Sequence, residues 1–593
     1  MRKTTNVGMA PVSIWPNLGR AALVPPARSL VDFWPVARPA SPGAVLDWFV
    51  GALAPLFLAS LVKFTPKAAP AALLVPPSDA YRRNFWRAAL VALSACATRP
   101  PSPTSIQSLA PVAAPPLTIQ PTPLVTPDAP FRQKEPAPGA AIPWAPPRID
   151  TWSMANGVRV LLVERHDVPI VGVRVVSRVG AGDLPGVRPG GVSFMGGMLE
   201  QGAGQHTALE ISDRYEELGA DHGAWCDWDA CVVRAKVLRS RLDAALDLLA
   251  DTALRPTFAD AEIERARKRW LASLEQEKSS PGAMEQNALA ASLFGRAHPY
   301  GHSLKGVPAD IAELKKDEIG QAWRRAVQPG STTVVVAGDV RPEELRPALE
   351  ARFGAWRGRA RETSVGTPPP PASQAPREPR DKSGGVRVVL LDVPGAAQSQ
   401  VYVAQEGVPY GSPDRIALGV MNAILGGMFS SRINLDLREA RAYTYGVRSR
   451  LSMRHGAGPF AAGGAIFTEH TGDAVRALLA HVARMREERV SDEELADAKE
   501  NAKLALPARF EGVDDVAGAL QDVAVYDLPL DEYATRAARI DAVTVDEVQR
   551  VAKKWLHPEA MHVVVAGDRA KVDNELTSFG PLELRDAYGE PVK

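Results

Sequence analysis

Few residues in this chain stand at spacings that could hold a metal or run acid–base chemistry. His298 and His302 lie four apart, the interval at which two imidazoles share a helical face. Pro299 and Gly301 between them read as loop, so no metal pair is expected there. His222 lies at strand-like spacing from Cys226, has no second Cys/His pair beside it, and reads as structural. Cys226 and Cys231 are five apart. Along one strand they would point to opposite faces, which argues against a local disulfide. No H-x-x-E-H occurs in either direction.

The third cysteine, Cys96, has a different setting. Arg82, Arg83 and Arg87 precede an apolar run over 88–95, and Leu93-Ser-Ala-Cys96 follows the pattern of a lipobox. Residues 81–96 thus resemble a bacterial lipoprotein signal peptide with Cys96 as the lipidated residue; the alternative is a chance apolar run that holds a cysteine. Residues 1–80 then read as a mis-assigned or disordered extension, and the apolar run at 48–62, cut by Pro55, is too short to span a membrane. Proline is the telling count, with 27 of the 52 prolines in the first 150 of 593 residues. Proline removes amide donors and breaks helices and central strands, so residues 97–149 are expected to form a Pro/Ala-rich tether. The expected location is the cell envelope, facing the periplasm, at the outer membrane by way of the lipid anchor. A formal net charge of +1 with 6% aromatic residues leaves no basic footprint for nucleic acid.

The rest of the chain is duplicated. Gly157-Val-Arg-Val160 recurs at Gly385, and Val334-Val-Val-Ala-Gly-Asp339 recurs at Val563, offsets of 228 and 229. Asp317-Glu318-Ile319 and Pro329 recur at an offset of 229, and the helix-like AALDLLAD at Ala244 matches AVRALLAH at Ala474. Matches in one order at one offset mean tandem domains over 150–361 and 385–580. They are separated by a Pro-rich linker at 362–384 and followed by a tail at 581–593. Residues 158–163, 170–176 and 230–238 read as strands, the first two hairpin-like, and 242–253 and 257–274 as helices. Helices are expected near 414–425, 472–487 and 491–505 of the second half. The fold class is α+β, each half a sheet packed with helices.

With the strands from Gly157, the FGRAHPYG of 294–301, the VVVAGD endings and the stretch from Leu425 to Gly446, the sequence resembles the insulinase/pitrilysin family of zinc peptidases, which includes the mitochondrial processing peptidases. The resemblance implies two tandem domains, each with an antiparallel-rich sheet, that enclose a peptide-digesting chamber with a second pair. It also implies a zinc site on H-x-x-E-H, where two histidines bind the metal and the glutamate acts on its water. Here Gly191-Val-Ser-Phe-Met-Gly-Gly-Met198 occupies that place. Phe194 and Met198 replace the histidines, Gly197 replaces the general base, and Ala272 or Ser273 stands at the third-ligand position. No metal and no cofactor is expected in this chain.

In the second half, Arg438 and Tyr445 match an Arg/Tyr pair of active family members. The resemblance implies that they reach substrate beside a zinc held opposite, with Tyr445 donating to the developing oxyanion and Arg438 holding the peptide or the tyrosine. Gly426 and Gly427 are either a backbone approach to substrate or a helix stop. Two functions follow. In one, the chain is the non-zinc-binding subunit of a peptidase, pairs with a zinc-bearing homologue, and acts on peptides or unfolded protein. In the other, it is a non-catalytic peptide-binding or scaffold protein of the envelope.

Overall fold

The computed structural model describes residues 144–358 and 385–592. Cys96, the signal-like segment, most of the tether and the linker at 362–384 lie outside the described residues.

In the first half the elements that frame the site are β1 (Asp150–Ser153), β2 (Arg159–Glu164), β3 (Ile170–Ser177), α1 (Gly191–Met198), β4 (Asp221–Cys226), β5 (Cys231–Leu238), α2 (Leu242–Leu254), α3 (Asp260–Glu277), α4 (Pro281–Phe294), α5 (Lys316–Ala326) and β6 (Thr332–Gly338). The second half repeats the series as β7 (Arg387–Asp392), β8 (Gln398–Glu406), α6 (Arg415–Asn422), β9 (Val447–Leu451), β10 (Pro459–Phe467), α7 (Thr471–Glu487), α8 (Asp492–Leu504), α9 (Val513–Val525), α10 (Val545–Trp555) and β11 (His562–Gly567). It then adds β12 (Leu582–Leu584).

Five strands of each sheet share one order, β2-β6-β3-β5-β4 and β7-β11-β8-β10-β9, while the outer strand is the antiparallel β1 in the first and the parallel β12 in the second. The duplication therefore extends to topology. The early strands do not form the expected hairpin. β6 lies between β2 and β3, parallel to β2 and antiparallel to β3. The segment after 580 is no loose tail either, because β12 pairs in parallel with β7 and closes the outer side of the second sheet.

Every residue of β6 is buried. An unbroken apolar strand needs cover on both faces, and here the covers come from different halves. One face of the first sheet (Val160, Leu162, Val173, Val334, Val336) packs on its own α1, α2 and α5. The other face (Leu161, Val163, Val176, Val232, Val335) packs on α9 of the second half. α4 of the first half returns the arrangement: Met284, Ala288 and Leu289 cover Val389, Leu391, Val564 and Ala566 of the second sheet. Gly172 of β3 makes the first contact possible, since a Cβ there would stand 2.9 Å from Val513 Cγ1. Arg174 fixes the polar edge, donating to Gln521 Oε1 at 2.8 Å and to the Asp514 carbonyl at 3.0 Å. Each half thus lends a helix to the other's sheet.

Candidate functional site

α1 lies across the end of β4. The approach depends on Gly196, where a Cβ would stand 2.3 Å from the Cys226 nitrogen. Phe194 and Met198 point into the core and are each 1% exposed. Across from them, α3 presents Trp270, whose ring lies 5.4 Å from that of Phe194 in an edge-on arrangement. Trp270 is also the nearest group to Gly197, 3.7 Å from where a Cβ would be. The indole N–H donates to the Lys305 carbonyl at 3.0 Å, which fixes the ring. Of the two expected third-ligand positions, Ala272 is exposed. Ser273 accepts from Lys305 Nζ at 3.0 Å, and the same ammonium pairs with Glu277 at 2.6 Å. The zinc of an H-x-x-E-H site does not fit these residues: a thioether, two apolar rings and a bare glycine supply neither an imidazole nor a base. Among the described residues no group of three or more His, Cys, Asp or Glu could hold a metal ion.

The three histidines singled out by spacing are held by packing and local hydrogen bonds. His222 Nδ1 meets Glu200 Oε1 at 2.8 Å while its ring stacks on Tyr215. His298 stacks on Phe294, and its Nδ1 accepts the Tyr300 N–H at 3.0 Å. His302 donates from Nδ1 to the Ser303 carbonyl, and burial lowers its pKa. The expectation about Cys226 and Cys231 is overturned, for the two are joined in a disulfide. They do not share a strand. Asp227–Ala230 form a turn, so Cys226 ends β4, Cys231 begins β5, and the two are register partners with Cα atoms 4.0 Å apart. Two cysteines facing each other across a hairpin are within bonding reach.

The second half repeats the device of α1. Ile424-Leu-Gly-Gly-Met428 lies 230 residues after Phe194-Met-Gly-Gly-Met198. Gly426 presses on β9 as Gly196 presses on β4, with a Cβ there falling 2.5 Å from the Ser449 nitrogen. Gly426 is therefore a packing glycine, buried in its own domain, whereas Gly427 is exposed. Beyond them the chain makes a wide π-type turn over Leu435–Ala440, and Ala442 takes a φ of 54°. Buried Asn434 holds this loop, donating to the Phe429 carbonyl and accepting the Val447 N–H. Thr444 anchors it from the other side, donating to the Ala465 carbonyl at 2.6 Å. On that braced loop Tyr445 is 81% exposed, its ring edge-on to Phe467 at 5.7 Å. The Arg438 guanidinium lies 4.5 Å from the centre of Phe429 and 3.4 Å from Glu439. Phe429 and Leu435 are exposed beside them. None of these contacts reaches the 194–198 segment.

A polar knot that sequence reading missed joins the halves. His455 donates its backbone N–H to Asp229 Oδ1 at 3.0 Å and meets Asp183 Oδ2 through Nδ1 at 3.1 Å. Its Nε2 meets the Val525 carbonyl at 3.1 Å. A carboxylate and a carbonyl can only accept, so both ring nitrogens carry protons and the ring is an imidazolium. Burial alone would lower the His455 pKa, but the Asp183 hydrogen bond and the charges of Asp183 and Asp229 push it up to about 9. Tyr526 donates to Asp229 Oδ2 at 2.9 Å, Gly456 N–H donates to the Tyr300 hydroxyl, and Arg454 lies 4.5 Å from the ring centres of both Trp228 and Tyr300. The one local signal was the polar turn Asp227-Trp-Asp229 between the cysteines.

Comparison with known proteins now decides the family. The profile described as "Insulinase (Peptidase family M16)" matches residues 159–306, and "Peptidase M16 inactive domain" matches residues 313–502. The chain belongs to the insulinase family. An insulinase-family relative, "Uncharacterized zinc protease ML0855" of Mycobacterium leprae, is 24% identical over 408 residues, covering 68% of this chain and 88% of the relative. A "Probable mitochondrial-processing peptidase subunit beta, mitochondrial" of Arabidopsis thaliana is 23% identical over 432 residues, covering 71% and 78%. Among solved structures, the peptidase M16 inactive domain from Pseudomonas fluorescens superposes with a TM-score of 0.63 at 26% identity, covering 71% of this chain and 98% of that one. The first half, which the insulinase profile matches, has no H-x-x-E-H and carries the packed apolar segment Phe194–Met198.

Proposed function

We propose that this chain is the non-zinc-binding subunit of an insulinase-family peptidase, which pairs with a zinc-bearing homologue and contributes Arg438 and Tyr445 to peptide binding and transition-state stabilisation. The observation that carries the reading is the contrast between the two halves. Tyr445 is 81% exposed on a loop that Asn434 and Thr444 brace, while Phe194 and Met198 of the first half are buried in apolar packing. A phenol and a guanidinium are suitable donors to the oxyanion of a tetrahedral intermediate, and a braced backbone lowers the cost of orienting them. That a similar plant protein is named as a subunit agrees with shared labour. Substrate would be an extended peptide added to a sheet edge; β1 and β4 are the two edge strands of the first sheet. The place of action is the bacterial envelope, with the chain tethered through Cys96. Mixing the purified chain with its zinc-bearing homologue should generate peptidase activity that Tyr445→Phe lowers about tenfold or more. Equal activity of the homologue alone sinks the proposal.

A second reading, a non-catalytic peptide-binding or scaffold protein of the envelope, draws support from the Gly-Gly-Met pattern that α1 shares with the second half. On that reading Arg438→Ala leaves the partner's activity unchanged while the assembly persists.

A further inference from the structure

The disulfide lies between α1 and the turn through which the first half meets the second. On one side, the Cys226 sulfur stands 3.0 Å from where a Cβ on Gly196 would be, so the crosslink is seated beneath α1. Cys226 and Cys231 are 2% and 3% exposed. On the other side the crosslink closes the base of the turn Asp227–Ala230. Inside that turn, Asp227 Oδ1 accepts the N–H groups of Asp229 and Ala230, both at 2.9 Å. The turn is pressed on the segment before Asp183, for Ala181 donates to the Asp227 carbonyl and Gly182 to the Trp228 carbonyl, each at 2.8 Å. Its tip enters the second half. Asp229 takes the backbone of His455 and the hydroxyl of Tyr526, and Trp228 faces the Arg454 guanidinium. The only covalent constraint among the described residues therefore holds the turn that clasps the two halves.

We infer that Cys226 and Cys231 are an oxidative maturation site: the chain is completed by dithiol–disulfide exchange in an oxidising compartment, and the crosslink holds Trp228 and Asp229 in place against Arg454 and His455. The chemistry balances. The thiolate of one cysteine attacks a sulfur of the oxidant's disulfide and releases one oxidant thiolate. The second cysteine's thiolate then attacks the protein sulfur of the mixed disulfide, and the oxidant leaves as a dithiol. Two protons are lost from the cysteines and two electrons pass to the oxidant, a protein disulfide of the thioredoxin-like chemical class. Oxidation fits the chain's cysteine usage: of three cysteines, two are buried against each other and the third, Cys96, lies in the signal-like segment. A buried structural disulfide belongs to an envelope or secreted protein rather than a cytosolic one. This inference is independent of whether the chain serves a peptidase partner.

The test uses the full chain produced in a bacterial envelope and alkylated before disruption. Peptide mapping should return 226 and 231 in one crosslinked species, two hydrogens lighter than the reduced pair and unalkylated. Hydrogen exchange then reads the coupling, comparing oxidised protein with protein treated with dithiothreitol and with the Cys226→Ala/Cys231→Ala double variant. Opening the crosslink is expected to speed amide exchange about tenfold or more at 227–230 and also at 454–456, across the interface. Alkylated cysteines in the envelope-made chain overturn the maturation site. Faster exchange confined to 227–230 overturns the coupling. Reduction of already folded protein keeps the second arm decisive if the double variant does not fold.

Discussion

Replacing His455 by glutamine removes the one imidazolium in the knot between the halves. The ring is 16% exposed at its side chain and donates to Asp183 and to the Val525 carbonyl. Around it stand Asp183, Asp229, Arg454, Tyr300 and Tyr526, and the carboxylates of Asp183 and Asp229 are what hold the proton on. A histidine near its ordinary value of about 6.5 in the unfolded chain and at about 9 when folded binds a proton more tightly in the folded state. Its stabilisation is thus complete below pH 6.5 and lost as the pH rises through 9. The difference of about 2.5 units corresponds to about 3 kcal/mol. Urea unfolding of parent and His455→Gln, at intervals from about pH 6 to 10, isolates this term because every other titrating group is common to both. The gap should be about 3 kcal/mol at the acid end and shrink to under about 1 kcal/mol at the alkaline end. A gap that stays constant across the series would mean a neutral ring, and the assignment of both ring protons would be wrong.

Four further variants probe other parts. Glu285 on α4 is buried with one oxygen lacking a hydrogen-bond partner among the described residues, and burial pushes its pKa up to about 8. Because the folded state keeps a proton that the unfolded state releases above about pH 4.5, the carboxyl costs stability increasingly up to pH 8. Glu285→Gln should therefore raise stability by about 2–4 kcal/mol at pH 8 and by much less at pH 5, read from denaturation midpoints. Gly426→Ala should cost about 1–3 kcal/mol, since a Cβ would meet Ile433 Cδ1 at 2.4 Å. Gly419→Ala, on α6 where a Cβ would meet no other group of the described residues within 4 Å, should be neutral or stabilising by about 1 kcal/mol, and thermal melts distinguish the two. Finally, the triple change Phe194→His, Gly197→Glu and Met198→His should not bring stoichiometric zinc on metal analysis, because Trp270 still occupies the facing position. Full zinc occupancy in that variant would contradict the packing account.

How much of this was legible from sequence depends on the range of the interaction. The apolar periods of α2 and α3 and the strand character of β2, β3 and β5 are local, and the two copies corroborated each other at an offset of 228–230. Strand order was not local: β6 enters between β2 and β3 only after some 150 residues, and nothing in the residues at 159–177 announces it. The disulfide was misjudged for a related reason. Five residues along one strand and five around a hairpin turn look the same until Asp227–Ala230 is recognised as a turn. Loss of the zinc motif was readable residue by residue, whereas its replacement was not, because Trp270 sits on α3 some 76 residues beyond Phe194. The His455 knot draws on the segments around 183, 229, 300, 455 and 526, and no single segment carries its chemistry.

The exchange of α4 and α9 between the two sheets has a consequence for synthesis. A chain leaving the ribosome exposes the first sheet's outer face, including Leu161, Val163, Val176 and Val335, about 180 to 360 residues before the α9 side chains that cover it. Closing a loop of that length is slow, and an unpaired apolar sheet face is a template for aggregation in the interval. The first half alone would be left sticky, and the second half alone would lack α4 over Val389 and Val564. The two halves are therefore obligate folding partners as well as copies of one another, and a holdase that shields the early face until α9 is made suits such a topology.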